Sequence, residues 1–235
     1  MPPGDLAPGD RGAVIVTGGA SGLGRAIAES VRQHGWWPVV LDLNPPPQEI
    51  EYEHVDLADA RDAEQAVRRV GERHGRLRAV VTAAGTDACG TLDSVSGEAW
   101  DRVVAVNLLG TAAVARAALA YFEDGAGRIV TVASTLGLRA MSDATAYCAS
   151  KFGVIGFSRS LAAELAGRVG VTCLIPGGMQ TSFFDGREER YKPPSMASLA
   201  EPAEVAAAVA FALDRPAAVE LRELVICPST ETSWP

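Results

Sequence analysis

Tyr147 and Lys151 stand four residues apart in a segment of helical period, which places their side chains on one face of a helix. A cation beside a phenol favours the phenolate and lowers its pKa, so such a pair can exchange a proton with a substrate. The alternative is an exposed pair with no function. Ser134 follows a predicted strand at the carboxyl edge where open α/β sheets bind ligands, and its hydroxyl can hold a substrate oxygen against Tyr147. These residues indicate proton transfer at a hydroxyl or carbonyl group.

A glycine-rich turn precedes this chemistry in the chain. Residues Thr17–Gly24 read TGGASGLG and connect a predicted strand to a predicted helix. Glycines permit a tight turn and let a pyrophosphate approach the N–H groups at the positive end of the helix. A tight turn without a ligand is the alternative explanation.

Asp42 identifies the expected cofactor more closely. It ends the second predicted strand, about 20 residues beyond the glycines, where a carboxylate can bind both ribose hydroxyls and repel a 2′-phosphate. Neither Leu43 nor Asn44 supplies a cation for a 2′-phosphate, although Arg61 remains a distant candidate. The sequence therefore favours NAD over NADP.

Other residues near the expected cleft allow two interpretations each. Asn107 interrupts a long apolar segment and is either a satisfied buried packing group or part of a relay that holds water. Several apolar side chains either contact a hydrophobic part of the substrate or pack beneath a loop: Leu136, Leu138, Met141, Met179, Phe183 and Phe184.

Short β-branched runs alternate with Ala-rich segments of helical period, which predicts βαβ units around a parallel sheet buried on both faces. The predicted strands are Ala13–Thr17, Pro38–Asp42, a weaker Glu53–Val55, Ala79–Thr82, Arg128–Val132, Val171–Ile175 and Glu223–Cys227. The predicted helices are Leu23–His34, Ala60–His74, Trp100–Phe122, Ala146–Ala166 and Ala203–Leu213. We expect a flexible segment over residues 1–12 and one domain over residues 13–235, with a substrate lid around residues 180–200.

Composition excludes several classes of protein. A net charge of −8 without clustered Lys or Arg disfavours nucleic-acid binding. No run of 18 apolar residues and no signal-peptide pattern occurs, so we expect a cytoplasmic protein without a membrane span. The four cysteines form no CxxC pair, which is typical of reduced thiols, and neither they nor the three histidines have the spacing of metal ligands. We expect no metal.

Taken together, these motifs resemble those of the short-chain dehydrogenase/reductase family, in its compact single-domain form. The resemblance covers about residues 13–227. It rests on the order of TGGASGLG, the Asp-Leu pair at 56–57, Asn107, Ser134, the YxxxK of Tyr147 and Lys151, and PGGMQT at 176–181. It implies a doubly wound Rossmann fold with a mostly parallel sheet of about seven strands.

The same resemblance implies a role for each residue. Tyr147 would be the general acid/base, Lys151 would bind the nicotinamide ribose and lower the tyrosine pKa, and Ser134 would orient the carbonyl. Asn107 would keep a proton-relay water. The residues implied in binding NAD, together with Tyr147 and Lys151, are Gly18, Ser21, Gly22, Leu23, Gly24, Asp42, Leu43, Asp56, Leu57, Ala83, Ala84, Gly85, Pro176, Met179 and Thr181.

Two segments depart from the family pattern. Residues 82–85 read TAAG where relatives carry Asn-Asn-Ala-Gly, so an amide that braces the sheet is missing. The C-terminal segment 224–230 lacks the usual Asp-Gly-Gly, and we assign no role to the final Trp234 and Pro235.

The function expected from the resemblance is NAD(H)-dependent interconversion of a secondary alcohol and a ketone, with 3-hydroxyacyl and hydroxysteroid-like compounds as candidate substrates. Two alternatives stay open: an NADPH-dependent reductase of 3-oxoacyl substrates, and a non-catalytic dinucleotide-binding protein. The resemblance also implies a homodimer or homotetramer, formed through the helices that contain Asn107 and Tyr147.

Overall fold

The computed structural model describes residues 11–47 and 49–233. Its seven strands form one parallel sheet in the order β3-β2-β1-β4-β5-β6-β7. The order reverses between β1 and β4, the switch point that marks a doubly wound Rossmann fold, as predicted. The strands are β1 Ala13–Thr17, β2 Trp37–Asp42, β3 Glu51–His54, β4 Leu77–Thr82, β5 Gly127–Val132, β6 Val169–Pro176 and β7 Glu223–Ile226.

Six α-helices cover the two faces of this sheet. They are α1 Gly22–Gln33, α2 Ala60–His74, α3 Gly97–Val104, α4 Thr111–Ala118, α5 Thr145–Glu164 and α6 Pro202–Leu213. Alternate residues of β1 point to opposite faces: Ile15 packs with α2, α4 and α5, whereas Val14 and Val16 pack with α1 and α6. Strands buried on both faces require continuous apolar runs, which explains why these segments carry no polar alternation.

Local signals fix the ends of α2, the helix whose bounds the sequence predicted without error. The Asp59 side chain accepts hydrogen bonds from the N–H groups of Arg61 and Asp62, which satisfies donors that a helix start leaves free. Gly75 ends the helix with a φ of 72°, a conformation that glycine adopts without a steric penalty. The predicted bounds of most other elements differ from the observed ones by one or two residues.

The sequence predicted one continuous helix over Trp100–Phe122, and both the first residue and the continuity of that prediction are wrong. The helix begins at Gly97, because the Ser96 hydroxyl caps it by accepting from the Ala99 N–H at 3.2 Å. A π-helical segment, Ala105–Gly110, then separates α3 from α4. The Thr111 hydroxyl donates to the Asn107 carbonyl at 2.8 Å, a side-chain bond that competes with the helical ladder.

This combined helical stretch, Gly97–Tyr121, is long and apolar enough to cross a membrane by length and composition alone. Half of its most apolar window is buried within the fold. Its parts pack against α2, α5 and β4. The apolar side chains of this segment therefore pack within the fold, where the segment covers the sheet.

Residues 180–200, here called the lid segment, leave the carboxyl edge after β6. The segment contains three short 3-10 helices, Ser182–Phe184, Glu189–Tyr191 and Met196–Ser198, where the sequence shows no clear period. Its two ends lie side by side, because the Gln180 N–H donates to the Ala200 carbonyl at 2.9 Å and the Ala200 N–H donates to the Gly178 carbonyl at 3.1 Å. Backbone hydrogen bonds thus join the first and last residues of the lid segment.

The predicted N-terminal segment falls mostly on residues 1–10, outside the described residues, as do Trp234 and Pro235. Its last two residues are held in place. The Arg11 N–H donates to the Gly35 carbonyl, and the Gly12 carbonyl accepts from Trp37. The ordered fold therefore includes Arg11 and Gly12.

Candidate active site

A single cleft of about 1280 Å³ follows the carboxyl edge of the sheet and contains almost all of the predicted site residues. The exception is Asn107, which is buried and does not line the cleft. The predicted residues that line the cleft are Gly18, Ser21, Gly22, Leu23, Gly24, Asp42, Leu43, Asp56, Leu57, Ala83, Ala84, Gly85, Ser134, Tyr147, Lys151, Pro176, Met179 and Thr181.

The glycine turn has the geometry that a dinucleotide requires. Gly18 has a φ of +69°, and a Cβ there would lie 2.7 Å from the Cα of Ala84. A Cβ on Gly24 would collide with the Gly18 carbonyl. The turn leads directly into α1. The N–H groups at the N-terminus of a helix favour the binding of an anion such as a phosphate. Both glycines are therefore required by close backbone packing within the turn, and a compact turn at the start of a helix fits the nicotinamide dinucleotide that the resemblance implies.

Asp42 lies at the end of β2 and lines the cleft beside this turn. Its Oδ2 accepts from the Ala20 N–H at 3.0 Å and its Oδ1 accepts from the Asn44 N–H at 3.0 Å. Each bond uses one lone pair of a carboxylate oxygen, which leaves acceptor capacity for ribose hydroxyls. The two bonds also hold the carboxylate in a fixed position.

Asp56 and Leu57 line the cleft where β3 ends, close to the Asp42 end. Arg102 donates to both oxygens of Asp56, at 3.1 and 3.3 Å. Burial by itself raises the pKa of Asp56, but the Ala58 N–H and Arg102 outweigh it, so the pKa lies below its usual value. Arg102 is a part of this wall that no motif in the sequence predicts.

Ser134 and Tyr147 meet at the other end of the cleft. Ser134 is buried, and its hydroxyl accepts from the Leu136 N–H at 3.1 Å and is hydrogen-bonded to Tyr147. Burial raises the pKa of Tyr147 to about 12, and the bond to Ser134 acts in the opposite direction. The phenol is thus a proton donor held beside a second hydroxyl.

Lys151 is 3% exposed, and its Nζ donates to the Val132 carbonyl at 2.9 Å. The Nζ lies 5.6 Å from the centre of the Tyr147 ring. Burial lowers the pKa of Lys151 to about 8. Burial is the largest influence on the pKa of both residues among the protein groups, and the lowering of the Tyr147 pKa by Lys151 stays a prediction.

Asn107 is buried, and all three of its side-chain contacts are made within the protein. Its Oδ1 accepts from the Thr86 N–H at 2.8 Å, and its Nδ2 donates to the Thr86 carbonyl and to Ser150 Oγ. A Cβ on Gly85 would lie 3.6 Å from both Asn107 Oδ1 and Lys151 Nζ. The side chain is therefore hydrogen-bonded within the fold and joins the loop after β4 to α5, while its part in a water relay stays a prediction.

The segment after β4 shows the expected effect of its unusual sequence. The Thr82 hydroxyl is buried and has no hydrogen-bond partner, so it does not replace the missing amide. A separate contact ties this segment to the glycine turn, since the Ala84 N–H donates to Thr17 Oγ1 at 3.0 Å.

The C-terminal residues form a wall of the cleft that the sequence did not reveal. Glu231 Oε2 accepts from the Gly178 N–H at 2.9 Å, and its Oε1 accepts from the N–H and the hydroxyl of Ser233. Ser233 in turn bonds the Thr135 hydroxyl at 2.7 Å. Glu231 thus holds the loop of Pro176, Met179 and Thr181, three residues implied in binding the dinucleotide, in the wall of the cleft.

The predicted apolar residues divide between the two interpretations. Leu138 packs on the buried cluster of Val154 and Ile155. The others line the cleft: Leu136, Met141, Met179, Phe183 and Phe184. Among them stand two charged residues that the sequence analysis missed, Asp87 and Arg187, which form an ion pair at 3.0 Å.

The cysteines and histidines lie apart from a metal-ligand arrangement within residues 11–47 and 49–233. No group of three or more His, Cys, Asp or Glu side chains there could hold a metal ion. All four cysteines are free thiols, of which Cys148 and Cys173 are buried.

Comparison with known proteins agrees with this geometry. The family described as short chain dehydrogenase matches residues 12–192. D-threitol dehydrogenase of Mycolicibacterium smegmatis is 34% identical over 233 residues, covering 90% of each chain. The 3-oxoacyl-[acyl-carrier-protein] reductase FabG of Thermotoga maritima is 28% identical and covers 84% of this chain and 88% of its own.

Solved structures share the same fold over nearly the whole chain. The ligand-free aldohexose dehydrogenase of Thermoplasma acidophilum has a TM-score of 0.83 at 26% identity, covering 94% of this chain and 93% of its own. A short chain dehydrogenase from Burkholderia cenocepacia in complex with NADP has a TM-score of 0.80 at 27% identity, covering 94% and 98%. The chain therefore belongs to the short-chain dehydrogenase/reductase family, oxidoreductases that bind a nicotinamide dinucleotide and act on alcohol- or ketone-type substrates.

Proposed function

We propose that this protein is an NAD(H)-dependent oxidoreductase that interconverts a secondary alcohol and a ketone, with Tyr147 moving the hydroxyl proton. One observation carries the proposal: Ser134, Tyr147 and Lys151 converge at one end of a continuous cleft, and Asp42 lies at the other. The bound nicotinamide supplies the hydride chemistry, and the protein supplies position and proton transfer.

In the reduction, the carbonyl oxygen of the substrate lies between the hydroxyls of Ser134 and Tyr147. Ser134 orients it, and the neutral Tyr147 phenol donates its proton as negative charge develops on that oxygen. The raised pKa of Tyr147 keeps this proton in place until then. In the oxidation, Tyr147 must first lose its proton before it can accept one from the alcohol. The rate of the oxidation should therefore rise with pH.

Lys151 supports this exchange from behind the phenol. Its Nζ is anchored to the Val132 carbonyl and is close enough to the cleft to bind a ribose hydroxyl. We assign Asn107 a positioning role, since its side chain fixes Thr86 and Ser150 beside these groups.

The choice of NAD over NADP rests on charge at the Asp42 end. A 2′-phosphate there would face the Asp42 carboxylate, and the next residue, Leu43, is an exposed apolar side chain. Arg61, the distant candidate for binding that phosphate, pairs with the buried Glu64 at 2.8 Å. These contacts support NAD as the cofactor.

Paired titrations with NADH and NADPH test this choice. We expect NADH to bind at least about tenfold more tightly, a difference of about 1.4 kcal/mol. Tighter binding of NADPH, with turnover of 3-oxoacyl thioesters, would instead favour the carrier-linked ketone reductase, the activity named for the Thermotoga maritima relative. Tight NAD binding without oxidation of any alcohol would favour a non-catalytic role.

We further propose that the protein is a cytoplasmic homodimer or homotetramer. Leu109 and Phe152 are exposed apolar residues, 52% and 46% exposed, on the two helical segments expected to form the interface. Light scattering of the purified protein, with Leu109→Glu as the disrupting variant, measures the assembly, and cell fractionation locates it.

A further inference from the structure

An ion pair crosses the substrate end of the cleft between parts of the chain that are far apart in sequence. Asp87 lies in the loop after β4, and Arg187 lies in the lid segment. Arg187 Nη2 is 3.0 Å from Asp87 Oδ2, and the two side chains are only 15% and 8% exposed. Burying two charges costs free energy unless their remaining bonding capacity is used, so this pair needs a further explanation.

Aromatic stacking connects the pair to the reacting phenol. The guanidinium of Arg187 lies 4.6 Å from the centre of the Phe183 ring and 4.8 Å from that of Phe184. The Phe183 ring is in turn 5.7 Å from the Tyr147 ring. All of these residues line the cleft. Arg187 therefore lies one aromatic ring away from the phenol.

The pair has unused hydrogen-bonding capacity on both sides. Arg187 Nη2 is a buried atom that contacts Asp87 through charge at 3.0 Å but makes no aligned hydrogen bond. Asp87 accepts from the Ala88 N–H at 2.7 Å and from the Cys89 thiol at 3.3 Å, which leaves some of the carboxylate's acceptor sites free. A buried donor left unpaired is costly, and a substrate atom would satisfy it.

The chemistry of the pair selects the kind of group that fits. Arg187 offers a donor and Asp87 offers an acceptor, and a hydroxyl group can accept from one and donate to the other. A carboxylate would satisfy Arg187 but would be repelled by Asp87. An alkyl chain would leave Nη2 unpaired.

We propose that Asp87 and Arg187 bind a second hydroxyl group of the substrate, so that the substrate is a neutral alcohol or ketone with several hydroxyl groups. This inference rests on the proposed function, since it deepens the description of the same cleft. It makes Arg187 and Asp87 determinants of specificity, whereas Tyr147 and Ser134 act at the reacting carbon.

The test compares linear polyols of four to six carbons, including the diastereomers at each length, with secondary mono-alcohols of the same length. We expect the wild-type protein to favour polyols in kcat/KM. In Arg187→Met this preference should fall about tenfold to hundredfold, the loss of a hydrogen bond to a charged group. The kcat/KM for mono-alcohols should stay within about threefold. Asp87→Asn should lower the preference in the same direction.

Arg190→Met is the matched control. Arg190 also lines the cleft from the lid segment, but it is largely exposed and pairs with Glu188 at 3.0 Å, so its loss should leave the preference unchanged. If Arg187→Met weakens both substrate types equally, the pair only holds the lid segment, and the inference is overturned. Preference of the wild type for a hydroxy acid, or no turnover of any polyol, also overturns it.

The Tyr147→Phe variant tests the proposed function independently of the second-hydroxyl site. If the wild-type protein oxidises mono-alcohols as well as polyols and Tyr147→Phe abolishes both reactions, the proposed function stands and the second-hydroxyl site is wrong. If Tyr147→Phe keeps its turnover, the proposed function itself fails.

Discussion

The Lys151 ammonium lies 5.6 Å from the centre of the Tyr147 ring and is anchored by a 2.9 Å hydrogen bond to the Val132 carbonyl. Lys151 is enclosed by protein and Tyr147 is half-buried at the cleft, and burial shifts their pKa values in opposite directions, to about 12 for the phenol and about 8 for the amine. Burial favours the neutral form of each group. The protein thus presents a neutral phenol to the cleft.

Replacing Tyr147 with Phe removes the proton donor and leaves the ring that packs on Phe183. We expect turnover to fall by at least about 10²-fold, the usual contribution of a positioned acid or base, with dinucleotide binding nearly unchanged. Steady-state kinetics and NADH fluorescence titration measure the two effects. Tyr52→Phe is the control, because Tyr52 is a half-buried tyrosine that bonds His54 and does not line the cleft. Substantial turnover in Tyr147→Phe would contradict the assignment.

The buried amine of Lys151 should make stability depend on pH. Its pKa is about 8 in the folded protein against 10.5 as its ordinary value, so between these values the unfolded chain binds a proton that the folded protein has released. Stability contributed by this group therefore rises with pH over that interval. The cost of burying the ammonium is present below pH 8.

Urea unfolding at pH 7.5 and pH 10 checks this sign. The free energy of unfolding of the wild type, relative to Lys151→Met, should be higher at pH 10. Lys192→Met serves as the control, because Lys192 pairs with the exposed Glu189 on the lid segment. A difference between wild type and Lys151→Met that does not vary with pH would show that the amine is not desolvated.

Asp42 should control the choice between the two cofactors. Replacing it with Ala removes both the acceptor for ribose hydroxyls and the charge that repels a 2′-phosphate. We expect weaker NADH binding and a rise of about tenfold or more in the ratio of NADPH to NADH affinity. Asp42→Asn removes the charge and keeps the size of the side chain. In this variant too, the ratio of NADPH to NADH affinity should rise. An unchanged ratio in both variants would remove Asp42 from this role.

Asn107 should contribute to stability through its buried bonds. Asn107→Leu leaves the N–H and carbonyl of Thr86 without their partner, and each unsatisfied buried group costs about 1–3 kcal/mol. Denaturant unfolding should show a loss of about 2 kcal/mol or more. Ser150→Ala, which removes one bond from the same amide, should cost less. Equal losses in the two variants would contradict this account.

Local patterns in the sequence predicted the fold and most of the site. The glycines of the turn, the acid ending β2 and the spacing of Tyr147 and Lys151 depend only on neighbours along the chain, and strands buried on both faces leave continuous apolar runs. The carboxyl ends of parallel strands meet at one edge, so residues placed just after strands could be assigned to one cleft.

What the sequence could not reveal depends on contacts between distant segments. Asp87 and Arg187 carry no local signal, and they meet only because the lid segment folds over the loop after β4. Glu231 becomes a wall of the cleft because the C-terminal residues return to Gly178. The three-dimensional packing also decides how far Tyr147 is buried, and this burial raises the pKa of the phenol, an effect that its spacing to Lys151 does not reveal. Sequence spacing determines which residues can meet, whereas hydration and long-range contacts exist only in the packed structure.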